Sequence, residues 1–236
     1  MSVKRRWTLV ATILVAAAVA AIIALSIPDD EPTYKNRILS EWVKAYADAY
    51  EIAFKANKPE IASSSEAAQA LREMTPTALP TLIQWIRYEK PASVDYIQRF
   101  VSRTIGSDNK LVTLMGKKEN RTWQALGVFE ILGTNAAPAI PQLSNMVLNA
   151  KHPDAALNAL QAMSSTGKAG TQTMLALFHN PTNPRRRATL VTLRLCYIAD
   201  PDVHDRELIA QEIRNCLNDP DVTIRRAATN ILSRMQ

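Results

Sequence analysis

Short helical segments recur in pairs along most of this 236-residue chain, and this repetition restricts its fold more than any other feature. Apolar residues in each segment fall at i, i+3 and i+4, the spacing of an amphipathic helix. Convincing apolar/polar alternation over the length of a strand occurs in none of them. The chain beyond residue 35 is therefore predicted to be all-α. The predicted pairs are 67–74 with 78–88, 122–132 with 136–149, 154–163 with 169–178, and 185–198 with 205–217, followed by a single helix at 221–235.

The pairs keep a regular spacing. The alanines near the start of four successive first helices, Ala125, Ala156, Ala188 and Ala228, are 31, 32 and 40 residues apart. Short helix pairs with a period of about 30–47 residues cannot bury both faces alone, so they stack on their neighbours. The spacing therefore predicts an α-solenoid.

Proline and glycine mark the junctions between the predicted helices. His152-Pro153, Asn183-Pro184 and Asp219-Pro220 each precede a first helix. Proline suits the first helical position because its missing N–H would have no partner there. Gly133 and Gly167 lie in the turns within two pairs, where a left-handed helix end is easiest on glycine.

These residues resemble HEAT repeats. The resemblance lies in Ala156-x-x-Ala159-Leu160, in 132–141, and in 219–228, which is similar to the Asp…Val-x-x-Arg-x-x-Ala pattern of the family. It covers 66–236 and implies a HEAT-like α-solenoid. An insertion at about 89–121, with a helix at 93–105, lengthens the first repeat. The chain also resembles short bacterial membrane-anchored HEAT repeat domain-containing proteins.

Residues 7–27 form an almost uninterrupted apolar run ahead of the repeats. As a helix this run would be about 31 Å long, the thickness of a bilayer core. Lys4, Arg5 and Arg6 precede it and acids follow it, so the positive-inside rule places the N-terminus in the cytoplasm. We predict a transmembrane anchor within residues 1–27, held in the inner membrane, with a periplasmic or otherwise extracytoplasmic C-terminal domain.

The same run has a second interpretation as a signal peptide. Ala24-Leu25-Ser26 has the small residues of a cleavage site, and cleavage after Ser26 would release a secreted protein. The length of the run exceeds the usual h-region of about 7–15 residues, which favours the anchor. Both interpretations export the rest of the chain. That part comprises a linker at 28–35, a packing helix at 36–58 and the repeat domain.

Charge and motifs argue against several functions. The formal charge is +6, but residues 4–6 supply half of it, and the other basic residues are interleaved with acids. Nucleic acid is therefore not an expected partner. Neither a G-x-G-x-x-G nor a G-x-x-x-x-G-K-S loop occurs, nor an H-E-x-x-H motif. Glu130 and Glu212 offer no convincing acid–base pair. We expect no catalytic residues, no cofactor, no metal and no small-molecule substrate.

Arginines near the C-terminus have two interpretations. The run 185–187 is either an anion-binding patch or a helix start whose guanidinium groups pair with Asp200 or Asp202. Arg225 and Arg226 are expected to belong to the charge pattern of the repeat, together with Asp219 and Asp221. Interleaved acids favour the structural interpretation in both cases.

Two cysteines and three tryptophans are predicted to lie in the core. Export permits a disulfide between Cys196 and Cys216. Their distances from the connecting turn differ by about 12 Å along the helix axes. A bridge needs Cα atoms within about 7 Å, so two buried free thiols are expected. Trp42, Trp85 and Trp123 lie among apolar residues at helical spacing.

The second helices of the pairs are the expected partner-binding elements. Their apolar stripes are predicted to be buried, which leaves neutral-polar residues pointing outward. The predicted buried residues are Ile140, Leu143 and Val147 in one helix and Leu208, Ile209, Ile213 and Leu217 in another. The predicted binding groove consists of Gln142, Asn145, Asn149, Gln211, Arg214 and Asn215.

The sequence thus favours a non-catalytic module that binds a protein or peptide outside the cytoplasm. The alternative is a structural subunit of a membrane complex, in which the transmembrane helix and residues 36–58 make the contacts. A HEAT-type enzyme or nucleic-acid binder is disfavoured because the required site is not recognisable in the sequence.

Overall fold

The computed structural model describes residues 30–105, 116–151, 153–199 and 203–235. The described chain is mostly helical, which confirms the all-α fold class. The predicted anchor at 1–27 lies outside the described residues. Among the helices within the described ranges, none combines the length and apolar character needed to cross a bilayer.

The elements follow one another in a simple order. A hairpin comes first, formed by strands β1 (Thr33–Tyr34) and β2 (Arg37–Ile38) in antiparallel register. The helices that follow are α1 (Leu39–Ala56), α2 (Pro59–Ser63), α3 (Glu66–Glu73), α4 (Thr75–Ile86), α5 (Ala92–Ile105), α6 (Lys117–Leu132), α7 (Ile140–Asn149), α8 (Pro153–Ser164), α9 (Lys168–His179), α10 (Arg186–Ala199), α11 (Val203–Asn215) and α12 (Val222–Leu232). Short 3-10 segments at Gly133–Ala139 and Cys216–Asn218 precede α7 and follow α11.

The chain divides into two compact units. One comprises Met1–Glu31 and Lys90–Lys118, and the other comprises Pro32–Glu89 and Glu119–Gln236. Helix α5 belongs to the first unit and matches the helix predicted inside the insertion. The second unit is built around a hydrophobic core that extends from Leu39 to Ile231.

The first helices of successive pairs pack against one another in the second unit. Helix α8 contacts α10, and α10 in turn contacts α12. Each also packs against its own partner, since α8 contacts α9 and α10 contacts α11. Short amphipathic helices thereby bury more than one side, as the predicted pairing requires.

The hairpin at 33–38 is a correction to the sequence analysis, which predicted a linker over 28–35 and no strand. Lys35 and Asn36 adopt left-handed conformations at the turn, with φ of 47° and 59°. The indole nitrogen of Trp42 donates to the carbonyl oxygen of Tyr34 at 3.0 Å and fixes the hairpin to α1. Strands of two residues are too short to produce an alternating pattern, and the turn lacks the usual glycine.

The prolines at the junctions do not all start a helix. Pro153 is the first residue of α8, as predicted. Pro184 and Pro220 instead lie outside their helices, because α10 begins at Arg186 and α12 at Val222. The prediction is therefore wrong at two of the three junctions.

Asx turns explain this difference. The Oδ1 atom of Asn183 accepts a hydrogen bond from the backbone N–H of Arg185 at 2.8 Å. In the same way, Oδ1 of Asp219 accepts from the N–H of Asp221 at 2.9 Å. Each turn encloses the intervening proline and delays the helix start. The two junctions thus share one local structure.

Arg186 connects these two junctions. Its guanidinium group pairs with Asp219 at 2.8 Å, and its Nε donates to the carbonyl oxygen of Phe178 at 3.0 Å. Arg225 donates to the carbonyl oxygen of Asp219, also at 2.8 Å. Asp219 was not the partner expected for the 185–187 run, and positions 200 and 202 lie outside the described residues. These contacts favour a structural role for Arg186 and Arg225.

The two turn glycines have positive φ, as expected, but one follows the C-terminus of a helix and the other precedes the N-terminus of a helix. Gly133 follows α6 directly and has φ of 52°. Gly167 has φ of 68° and ψ of −150°, and it is the N-cap of α9 rather than the end of α8. An L-residue rarely adopts that second conformation, so Gly167 occupies a position that only glycine fills without strain.

Two side chains from later helices satisfy the C-terminal carbonyl groups of α4. Thr122 Oγ1 donates to the carbonyl oxygen of Trp85 at 2.8 Å, and Asn158 Nδ2 donates to that of Ile86 at 3.1 Å. The last carbonyls of a helix have no partner within the helix. Helices α6 and α8 therefore complete the end of α4.

Replacing Asn158 by aspartate should destabilise the protein by about 1–2 kcal/mol at neutral pH, because the new carboxylate has no proton to donate and lies at a negative helix terminus. Urea denaturation would measure the change. The control is Asn230→Asp near the end of α12, where the side chain is exposed. Equal stabilities of the two variants would contradict the role assigned to Asn158.

The core residues predicted from the sequence are mostly confirmed. Cys196 and Cys216 are free and buried. Trp42 and Trp85 are buried, whereas Trp123 is exposed, so its prediction is wrong. Thr122, the preceding residue on α6, takes the inward position. Successive residues of a helix are rotated by about 100°, and this rotation turns Trp123 away from the side that Thr122 occupies.

The buried thiols should resist modification. Burial raises the pKa of Cys216 to about 11 from its ordinary value of 9.0, with Asp219 and Glu212 adding to the effect. At pH 7 we expect neither thiol to react with a disulfide reagent until the protein unfolds. Rapid reaction of the folded protein, or an intact mass showing a bridge, would contradict this.

The same pKa shift makes stability depend on pH. Because the folded-state pKa of Cys216 is raised, the unfolded chain loses this proton first when the pH exceeds about 9. Stability should be unaffected by this thiol below pH 9 and should fall between pH 9 and 11. A Cys216→Ala variant, compared with the unsubstituted chain by urea denaturation, should show a smaller fall.

Candidate partner-binding surface

The first part of the predicted groove lies on α7. Gln142, Asn145 and Asn149 are all exposed, as the sequence predicts. The opposite side of the helix is buried through Leu143 and Val147, which confirms two of the three predicted stripe residues. The third, at position 140, is half-buried. Asn149 Nδ2 donates to Asn145 Oδ1 at 2.6 Å, so these two carboxamides form one polar unit.

The second part lies on α11. Gln211, Arg214 and Asn215 are exposed, again as predicted. Gln211 Nε2 donates to Asn215 Oδ1 at 3.1 Å, and Arg214 Nη1 donates to Gln211 Oε1 at 2.8 Å. Arg214 also pairs with Glu207 at 3.1 Å. The arginine is therefore bound within its own helix and orients the neighbouring carboxamide.

Two residues of the predicted buried stripe on α11 are exposed instead. Ile209 and Ile213 are fully buried, but Leu208 and Leu217 are more than two-fifths exposed. Leu208 is rotated by about 100° from Ile209 around the helix. Leu217 lies in the 3-10 turn that follows α11, where tighter winding changes its direction.

Helix α9 contributes to the same kind of surface, which the sequence analysis missed. Gln172, Ala176 and His179 are exposed, at i, i+4 and i+7. His179 Nε2 lies 3.3 Å from Glu212 Oε2 and connects α9 with α11. Helix α9 also packs against α7. The apolar stripe of α9 has the same helical period as that of α7. The same periodicity argument could therefore have identified α9 as part of this surface.

Carboxamide groups therefore recur on the exposed sides of three second helices. We call this set the amide face and define it as Gln142, Asn145, Asn149, Gln172, Gln211 and Asn215. The structure pairs 145 with 149 and 211 with 215, and it places α9 in contact with both α7 and α11. Each carboxamide has two N–H donors and an oxygen with two lone pairs. The hydrogen bonds within α7 and within α11 use some of these donors and acceptors.

Two titratable groups outside this surface have shifted pKa values. Burial raises the pKa of Glu130. The pKa of Tyr46 is also raised, by burial and by the nearby charge of Glu130. Across the described residues, no group of three or more His, Cys, Asp and Glu side chains could hold a metal ion.

Comparisons with known proteins do not identify a relative. No protein-family model, no curated protein and no solved structure matches this chain.

Proposed function

We propose that this chain is a non-catalytic interaction module that binds a protein or peptide through its amide face. The exposed carboxamides on α7, α9 and α11 are the observation that carries the proposal. Polypeptide backbones present N–H and C=O groups that need partners when a complex excludes water. Asparagine and glutamine side chains match both groups, without the desolvation penalty of a charge.

The recurring helical pairs support a HEAT-like α-solenoid as the framework of this surface. First helices pack against first helices, and two junctions share an Asx turn around proline. Such stacks present the second helices of successive repeats side by side. The resemblance noted in the sequence gives the same expectation.

We further propose that an N-terminal membrane segment displays the module outside the cytoplasm. The apolar run at 7–27 and the basic residues before it support this location. Residue 27 is only five positions before Pro32, whose carbonyl oxygen accepts from Leu39 N at 2.9 Å. The folded domain thus begins close to the end of that run.

Site-specific photocrosslinking of the full chain in native membranes tests the proposal. A photoreactive residue at 145, 172 or 211 should crosslink to one common protein. The same residue at positions 226 and 229, on the exposed side of α12, should not crosslink to it. The absence of a common product from the amide face, or equal products from both surfaces, would contradict the proposal.

A second candidate is a structural subunit that assembles through its N-terminal part. It is favoured by the last two turns of α1, where Tyr50, Ile52 and Phe54 are exposed. Deletion of residues 1–30 distinguishes the two candidates. Binding to the amide face should survive this deletion, whereas assembly through the membrane segment should be lost.

A further inference from the structure

Helix α5 exposes three large apolar side chains, whereas one polar atom on its other side is buried. Tyr96, Ile97 and Phe100 are 72%, 48% and 62% exposed. Gln98 lies on the other side of the helix and is not exposed. Its Oε1 is buried without a hydrogen-bond partner among the described residues. Exposing apolar side chains to water costs free energy, and so does burying a polar atom without a hydrogen-bond partner.

Basic residues border this exposed apolar surface. Arg99 and Arg103 are exposed and follow Tyr96 at i+3 and i+7, so they lie along the same side of the helix. Asp95 pairs with Lys90 at 3.2 Å and with Arg99. These two cations lower the pKa of Asp95. Within 90–105, Asp95 is the one acid against three basic residues, so the surface has an excess of positive charge.

Aromatic residues bordered by arginines are typical of helices that lie in a membrane interface. The apolar side enters the boundary between headgroups and acyl chains, while basic groups contact anionic headgroups. Tyrosine is favoured at that depth because its ring is apolar and its hydroxyl remains hydrated. A lipid surface would therefore remove the cost of exposing Tyr96, Ile97 and Phe100 to water.

We propose that the exposed side of α5, formed by Tyr96, Ile97, Arg99, Phe100 and Arg103, binds the lipid bilayer that holds residues 7–27. The inference rests on the membrane segment in the proposed function. The excess of positive charge on this side of α5 complements the anionic headgroups of such a bilayer, which argues for lipid as the partner. The contact is independent of the amide face, whose helices belong to the other unit.

Fluorescent labelling of the full chain in vesicles tests this proposal. Cysteine is introduced by Ile97→Cys, and an environment-sensitive fluorophore is attached. The control is Arg226→Cys on α12, an exposed position in the other unit. The native thiols are buried, and the unsubstituted chain measures any background labelling. Vesicles contain equal parts of phosphatidylcholine and phosphatidylglycerol, with or without a nitroxide-bearing lipid.

The expected result is a blue-shifted emission at position 97 that the nitroxide lipid quenches, while the label at 226 keeps an aqueous spectrum. Flotation after an alkaline wash reports separately on the membrane segment. If the chain floats and the two labels behave alike, the proposal for α5 is wrong and the anchor stands. If native membranes give a protein crosslink at 97 without lipid quenching, the lipid assignment is also wrong.

A chain that fails to float would contradict the anchor, and α5 is then tested by adding the labelled chain to preformed vesicles. Lipid quenching at position 97 would still support a lipid-binding helix. Its absence would overturn the proposal. Adding Tyr96→Glu to the labelled chain should abolish the quenching, because a carboxylate is disfavoured in the interface and repelled by phosphatidylglycerol.

Discussion

Alanine at position 170 should destabilise the protein by about 3 kcal/mol, because overpacking against a fixed backbone forces helices apart. Gly170 lies in the first turn of α9 and is buried. A Cβ atom added there would overlap the carbonyl oxygen of Met163 and the hydroxyl of Thr166. The hydroxyl could rotate, but the carbonyl belongs to the backbone of α8. Helix α9 would have to move away from α8.

Gly127→Ala is the matched control for this substitution. Gly127 also lies inside a helix, and an added Cβ has nothing within 4 Å. This variant should be stabilised by about 0.5–1 kcal/mol, because alanine loses less backbone entropy than glycine on folding. Urea denaturation of both variants measures the difference. If Gly170→Ala is as stable as Gly127→Ala, the close approach of α8 and α9 is wrong.

Leu160→Ala should cost about 2–5 kcal/mol, the range for removing a large side chain from a packed core. Leu160 lies on α8 and is 0% exposed. Leu157, on the same helix, is 45% exposed. Leu157→Ala removes the same atoms from a surface position, so its cost should stay below about 1 kcal/mol. Equal losses in the two variants would contradict the orientation of α8.

The Leu160→Ala variant also tests whether the second unit unfolds as one body. Trp42 and Trp85 lie in the same core but far earlier in the chain. If the core is cooperative, tryptophan fluorescence and far-ultraviolet circular dichroism should shift to lower urea together. An array that unfolds repeat by repeat would separate the two transitions.

Helical periodicity predicted the elements better than their contacts. The helix predicted at 93–105 is observed at 92–105, and Ser65 caps α3 by accepting from the N–H of Ala68 at 3.2 Å. These features depend on residues a few positions apart, whose preferences are local. The two-residue strands of the hairpin fall below the length at which a period can be recognised.

Features that depend on distant residues could not be predicted in this way. Gly170 resembles any other glycine within a helix, and the proximity of Met163 exists only after α9 has docked on α8. Trp123 and Trp85 have similar apolar neighbours, yet one is exposed and the other buried. On the candidate surface, all six predicted groove residues are exposed, because orientation within a helix follows from its period. The exposed residues of α9 could have been predicted by applying the same periodicity argument to that helix.

The end of α4 has a consequence for biosynthesis. A ribosome releases Ile86 long before it has added Thr122 and Asn158, whose side chains bind the last carbonyl groups of that helix. During this interval the carbonyl oxygen of Trp85 has only the N–H of Tyr88 as a local donor, and that of Ile86 depends on water. The C-terminal turn of α4 is therefore more prone to fray. The earliest helices of the second unit thus reach their final state only when later ones arrive. Folding of this unit therefore includes a step in which later helices complete the end of an earlier one.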